Sequence, residues 1–122
     1  MANWKNLEVE RHDRSEPRVT VWRLSGALMG GKEGYAFLDD LRAQLRERPG
    51  AVIINLSRVE HVTSAGVGVL AAAYTSAVNA GARLILAAIP KQAEAVLGIL
   101  RLLSVIEHDA TEDGALDRIA GR

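Results

Sequence analysis

The chain has 122 residues, no cysteine, and 15 basic residues balanced by 15 acidic ones, so its formal net charge is zero. The lack of cysteine excludes disulfides and thiolate metal sites, and the zero charge provides no basic field to attract nucleic acid or an anionic membrane surface. With 48% hydrophobic and 25% charged residues, we expect one cytoplasmic domain over residues 1–122, with no signal peptide and no inserted membrane segment.

The N-terminal third of the chain predicts a β-hairpin followed by a helix. Residues 6–11 alternate apolar and acidic side chains, as in a strand with one wet face. Turn residues at 13–17 and the apolar pattern at 18–24 predict that the chain returns as a second strand. Four glycines at 25–34 interrupt this pattern, and helical spacing follows over 34–47. The apolar positions expected on the buried face of this helix are Tyr35, Leu38, Leu41 and Leu45.

Two further segments predict strands buried on both faces. Residues 51–56 and 82–89 are almost continuously apolar, which is typical of central strands in parallel sheets. The helix between them is predicted over 64–80, and Gly81 is placed to cap its C-terminus.

The C-terminal part predicts two more helices around a short apolar piece. Pro90 stands at a favourable first-turn position for the first of them. Residues 102–107 form the apolar piece, and Asp109 and Glu112 then have the spacing of a capping box before the last helix. The positions expected to face inward in these helices are Ala93, Val96, Leu97, Leu100, Leu116 and Ile119.

The predicted element order is β-β-α-β-α-β-α-(β)-α. Buried strands that alternate with helices imply right-handed crossovers and a largely parallel sheet. We therefore predict an α/β fold with a mixed, mostly parallel sheet of four to five strands and about four helices. The first strand is expected to be antiparallel at one side.

The turn before the 64–80 helix is the most informative local feature. Thr63 and Ser64 stand directly before Gly66 and Gly68, at the sheet end where open α/β proteins place their sites. One interpretation is structural: either hydroxyl caps the helix, and Gly66 lets the helix lie close to the sheet. A second is functional and compatible with it. A serine hydroxyl at a helix N-terminus is well placed to carry phosphate, which the helix dipole would stabilise.

Other chemistries lack the residues they need. A phosphate-binding loop requires a lysine, and there is none between Val59 and Lys91. A dinucleotide fingerprint has Ala71 where its third glycine belongs, and a serine nucleophile elbow has Val62 where its first glycine belongs. The three histidines are scattered and indicate neither a metal site nor a catalytic base. We expect no cofactor, no metal and no enzymatic activity.

The segment VIINLSRVEHVTSAGVGVLAAAYTSAVNAGARLIL resembles the core of the STAS domain family of bacterial anti-sigma-factor antagonists. The family's DLS-x-V turn matches residues 55–59, its D-S-[SA]-G-[LV]-G-V-L motif matches residues 63–70, and its A-G-G helix end matches 79–81. RLSGALMGG is similar to the family's earlier strand end and loop, and KQAEAVLGILRLLSVIEHDATEDGAL to its C-terminal elements. The likeness covers about residues 7–120.

The resemblance implies a docking protein switched by phosphorylation at Ser64. In the family, a kinase modifies this serine and a phosphatase restores it. The unmodified form binds an anti-sigma factor of the histidine-kinase-like ATPase type. The exposed edge strand at 6–11 permits pairing with another strand, but Glu8, Glu10 and Arg11 discourage it, so we expect a monomer or weak dimer when free. The partner-binding residues that it implies are Met29, Gly30, Thr63, Ser64, Ala65, Gly66 and Val67.

Three positions depart from the family pattern and leave alternatives open. Thr63 stands where the family has aspartate, and Ala27 and Met29 stand where its earlier loop often carries acidic residues. One alternative is therefore a constitutive STAS subunit of a larger assembly, a lipid-transport ATPase complex or signalling scaffold, without phosphoregulation. Another is a small-ligand binder with a pocket under the 26–34 loop.

Overall fold

The computed structural model describes residues 6–48 and 50–121. Among the helices of these residues, none combines the length and apolar character needed to cross a membrane. The described elements, with Leu102–Ser104 as a short 3-10 turn, are β1 (Glu8–Ser15), β2 (Arg18–Leu28), α1 (Lys32–Glu47), β3 (Ala51–Val62), α2 (Ser64–Asn79), β4 (Leu84–Ala87), α3 (Lys91–Ile99), β5 (Glu107–Asp109) and α4 (Glu112–Ala120).

The five strands form one sheet in the order β1-β2-β3-β4-β5, so each strand lies beside the next one in the sequence. β1 is antiparallel to β2, and the other three pairings are parallel. The predicted fold class and element order are therefore confirmed. Because β2 to β5 run in the same direction, their carboxyl ends meet at one edge of the sheet, where sites form in open α/β folds.

The two faces of the sheet are covered unequally. Helices α1, α2 and α3 bury the larger core, into which β2 sends Trp22 and Leu24. α4 covers the other face over a smaller core that contains Val19 and Val21. These opposite directions follow from the period of two along a strand, and they agree with the strand predicted for 18–24.

Strand lengths differ from the predictions made from the apolar runs. β2 continues past residue 24 to Leu28, and β3 continues past residue 56 to Val62. Their ladder shifts register at two places, after Arg23 and after Gly26, and such bulges let small and polar residues stay within a strand. β4 is shorter than predicted, at Leu84–Ala87. The buried face predicted for residues 6–11 is confirmed in part: Leu7, just before β1, packs against the larger core, whereas every residue of β1 is exposed, Val9 at 40%.

The buried face of α1 is rotated from the predicted one at its start. Tyr35 is 59% exposed, and Phe37 is buried in its place, with its ring edge-on to Trp22 at a centroid distance of 5.6 Å. Leu38, Leu41 and Leu45 are buried as predicted. The helix also buries a polar residue that the apolar pattern did not mark. Gln44 accepts a hydrogen bond from Trp22 Nε1 at 3.0 Å, so the indole nitrogen does not lie unpaired in the core.

Of three further predictions for the helices, the C-terminal cap of α2 is confirmed, whereas the inward position of Leu100 and the N-cap of α4 are wrong. Gly81 follows α2 with φ +72°, and Ala82 N–H donates to Ala77 O at 2.8 Å, which closes the helix as predicted. Leu100 is 50% exposed because α3 ends before it, at Ile99. The N-cap of α4 is Thr111, whose hydroxyl accepts from the backbone of Gly114, and not the predicted Asp109.

α4 is anchored to the sheet by a network around Glu112 in its first turn. Arg23 donates to both carboxylate oxygens of Glu112 at 2.9 Å, and Asn55 Nδ2 donates to one of them at 2.9 Å. The hydrogen bond from Arg23 is the main reason that the pKa of Glu112 lies below its usual range, although partial burial opposes the shift. One charged side chain therefore ties α4 to β2 and β3.

Candidate functional site

The first turn of α2 lies between the carboxyl ends of β2 and β3. Thr63 N–H donates to Leu28 O at 3.2 Å, which links the end of one strand to the start of the helix. The Thr63 hydroxyl accepts from Gly66 N at 3.0 Å and is the N-cap. Of the two candidate hydroxyls, Thr63 thus caps the helix, and Ser64 is its first residue.

Gly66 and Gly68 have different roles. A Cβ added at Gly66 would lie 2.0 Å from Leu28 O, far inside van der Waals contact, so only glycine fits where the helix meets β2. A Cβ added at Gly68 would meet nothing within 4 Å. The close approach continues in the loop, where a Cβ on Gly30 would lie 2.8 Å from Ala65 Cβ. The loop after β2 and the start of α2 therefore form one packed unit.

Five of the seven predicted partner-binding residues reach the surface of this unit. Gly66 and Val67 are buried, so they shape the surface from beneath and offer no side chain to a partner. Those that reach solvent are Met29, Gly30, Thr63, Ser64 and Ala65, and we call them the docking surface.

The Ser64 hydroxyl is exposed on the docking surface. Within residues 6–48 and 50–121 it has no hydrogen-bond partner, whereas the neighbouring Thr63 hydroxyl is occupied by the cap. Ser64 thus presents a free hydroxyl at a helix N-terminus, where backbone N–H groups and the helix dipole favour an added negative charge.

Tyr35 adds an aromatic side chain that sequence reasoning assigned to the core. It lies in the first turn of α1, and its N–H donates to Gly31 O at 3.0 Å. The preceding residue, Gly34, packs against the backbone of Met29, since an added Cβ would lie 2.8 Å from Met29 O. Tyr35 therefore follows a residue that packs against the loop of the docking surface, and its side chain is exposed. Its helical spacing alone did not distinguish it from the buried positions.

The small-ligand pocket under the 26–34 loop stays a prediction. A groove of about 510 Å³ opens beside the ends of β2 and β3, and Gly26 is the single residue that it shares with that loop. Its lining is polar and of mixed charge, comprising Asn6, Glu8, Ser25, Gly26, Ser57, Arg58, Val59 and Glu60.

The two hydroxyls are expected to differ in their effect on stability. Thr63→Ala removes the N-cap and should lower the free energy of unfolding by about 1 kcal/mol. Ser64→Ala removes an unpaired surface hydroxyl and should change it by less than about 0.5 kcal/mol. Urea denaturation of both variants and the wild type measures the difference. Equal losses would contradict the assignment of Thr63 as the cap.

Residues 7–115 match the family model of the STAS domain. The match covers most of the chain, and the chain therefore belongs to the STAS domain family, as the motif around residues 63–70 predicted. No curated protein sequence matches at the similarity that we required.

Solved structures share the fold at low sequence identity. An anti-sigma factor antagonist from Mycobacterium paratuberculosis is 22% identical, with a TM-score of 0.75 over 93% of this chain and 94% of that chain. The anti-sigma factor antagonist SpoIIAA, in its unphosphorylated form, is 21% identical, with a TM-score of 0.70 over 96% and 100%. A sulfate transporter family protein from Wolinella succinogenes is 19% identical, with a TM-score of 0.68 over 83% and 84%.

Proposed function

We propose that this chain is a non-catalytic anti-sigma factor antagonist of the cytoplasm that acts by docking to another protein. The partner that we propose is an anti-sigma factor of the histidine-kinase-like ATPase type, as the family resemblance implies. The observation that carries the proposal is the free, exposed Ser64 hydroxyl on the docking surface, outside the cap of its own helix. Family membership and the fold shared with two antagonists support it.

The switch that we propose is phosphorylation of Ser64. A phosphoryl group adds about −1.5 to −2 charges at neutral pH, which would have to be desolvated when the docking surface is covered. Thr63 keeps the N-cap in either state, because its hydroxyl, not that of Ser64, accepts the Gly66 N–H. Phosphorylation therefore changes the charge of the docking surface and leaves the fold intact. A phosphatase would restore binding.

Ser64→Asp is expected to weaken binding to the cognate anti-sigma factor at least tenfold, or about 1.4 kcal/mol. Ser64→Ala should bind nearly as well as the wild type, because it adds no charge and removes no cap. Isothermal titration calorimetry with the purified partner measures both affinities. Ser104→Asp, a matched change at an exposed serine outside the docking surface, should leave the affinity within about twofold. Equal affinities for Ser64→Asp and the wild type would exclude the switch.

A constitutive STAS subunit is the second candidate, and Thr63 is the observation that favours it. Thr63 places an uncharged side chain beside Ser64, where the family motif has a carboxylate. The Wolinella succinogenes structure is of a sulfate transporter family protein, so the fold also occurs in that context. Incubation with the cognate kinase and ATP, followed by phosphate mapping, separates the candidates. Phosphate at Ser64 supports the switch, and an unmodified chain supports the constitutive subunit.

A further inference from the structure

β1 is an edge strand with a regular free side. Within the described sheet its neighbour is β2, and the two strands pair without interruption from Glu8 opposite Ser25 to Ser15 opposite Arg18. All eight residues of β1 are exposed. Its free side therefore offers backbone donors and acceptors that another strand could pair with, although Arg14 O already accepts a hydrogen bond from Arg48 Nη2 at 2.7 Å.

The side chains of β1 restrict which strand can pair there. The five central residues, Glu10 to Arg14, are each charged or a histidine. Like charges directly opposite each other destabilise an antiparallel pair, whereas opposite charges stabilise it. Such an edge repels most strands. It accepts a strand whose charges have the complementary order.

A second copy of β1 presents the complementary order of charges in one antiparallel register. With a twofold axis through His12, antiparallel pairing sets Arg11 opposite Asp13 of the other copy, and Glu10 opposite Arg14 of the other copy. Each of these opposite-sign pairs occurs twice by symmetry. At the ends of this ladder, Glu8 falls opposite Glu16 of the other copy, outside the strand proper.

Neighbouring registers place like charges directly opposite each other. Centring the axis on Arg11 sets that arginine against its own copy, and centring it on Asp13 does the same for two carboxylates. Within one chain, Arg11 already pairs with Asp13 at 3.1 Å and Arg23 with Glu10 at 3.1 Å, so the second copy adds further opposite charges to these ion pairs. The second copy then completes a cluster of alternating charge on one face.

We propose that β1 is a homodimer interface, in which two copies pair antiparallel about His12 and join their sheets into one. The interface is isologous, as in most symmetric dimers. It contains no residue of the docking surface, so each copy keeps its own site for a partner. The interface rests on charge pairs, so the dimer dissociates as salt rises and screens them.

Charge-reversal variants of β1 test whether the proposed register sets opposite charges against each other in the two copies. Arg14→Glu sets two acidic side chains opposite each other, and Glu10→Arg sets two basic ones, so each variant should raise the dimer dissociation constant at least tenfold. A 1:1 mixture of the two variants restores both pairings and should bind within about threefold of the wild type. Lys91→Glu on α3 is the control for charge and should leave the dimer unchanged.

Sedimentation at about 0.1 M and about 1 M salt measures these equilibria, and circular dichroism checks that each variant is folded. A wild type that stays monomeric at about 500 µM in low salt overturns the proposal. So does a mixture of folded variants that remains monomeric.

A cysteine scan gives a second test, since the chain has no cysteine of its own. In the proposed register, His12→Cys faces its own copy at about 5 Å between Cβ atoms, close enough for a disulfide after small adjustment. Arg14→Cys, the matched control, is about 13 Å from its copy along the strand. We expect a reducible covalent dimer from the first variant alone. Equal cross-linking of both variants overturns the register.

Discussion

Gly66→Ala is expected to destabilise the protein by about 3 kcal/mol or more, the upper range for overpacking a tight contact. The added methyl group would lie 2.0 Å from Leu28 O and 2.7 Å from Leu28 C. Both are backbone atoms of β2, so no flexible side chain can move aside. The helix must shift away from the strand, which breaks the hydrogen bond from Thr63 N–H to Leu28 O.

Gly68→Ala is the matched control in the same helix. Its methyl group meets no atom within 4 Å, and alanine is about 1 kcal/mol better than glycine in a helix interior. This variant should therefore be more stable than the wild type by about 0.5–1 kcal/mol. Urea denaturation midpoints, with unchanged m-values, measure both effects. A loss of stability at Gly68, or none at Gly66, would contradict the close contact between α2 and β2.

Glu112→Gln is expected to lower the free energy of unfolding by about 2 kcal/mol at neutral pH, within the range for hydrogen bonds to charged groups. The change keeps the shape of the side chain but weakens both contacts from Arg23 and leaves an amide where Asn55 donates to a carboxylate. Glu33→Gln is the control, because Glu33 also lies in the first turn of its helix, α1, but is exposed. It should cost a few tenths of a kcal/mol.

The effect of Glu112→Gln is also expected to depend on pH. The pKa of Glu112 is lower in the folded chain than its ordinary value, chiefly because Arg23 donates to the carboxylate. Its stabilisation is therefore complete above the unfolded pKa of about 4.3 and is lost as the pH falls through the lower folded value. The stability difference between wild type and variant should shrink toward zero in acid. A difference that stays constant from pH 7 to about pH 3 would show that the ion pair is not its source.

The predictions that succeeded rest on local patterns. The apolar runs, the period of the helices and the turn at Thr63 and Ser64 each involve residues close in sequence, so fold class, element order and the position of the turn were predictable. The residues at which β2 and β3 end were not predictable in this way. β2 and β3 continue through Ser25 and Ser57 because each supplies the other with a ladder, and register shifts absorb the irregular residues.

The features that were missed depend on contacts between distant segments. Tyr35 and Phe37 are both aromatic and lie two positions apart, and the choice between them depends on the ring of Trp22 that Phe37 contacts. The close approach of Gly66 to the sheet was predicted, but the atom that it approaches, Leu28 O, lies in another strand. The sequence marked Gly66 as unusual for a helix, but only the packed fold shows which atom excludes a side chain there.

The order of the sheet has a consequence for how the chain is made. Because every strand pairs with the next one in sequence, each new strand finds its neighbour in the segment synthesised just before it, and no strand has to insert between two others. α4 is the exception, since the contact of Glu112 with Arg23 joins residues 89 positions apart. Until α4 emerges, Val19, Val21 and Ile53 of the smaller core stay open to water. The interval before α4 emerges is therefore one in which the nascent chain exposes apolar surface to association.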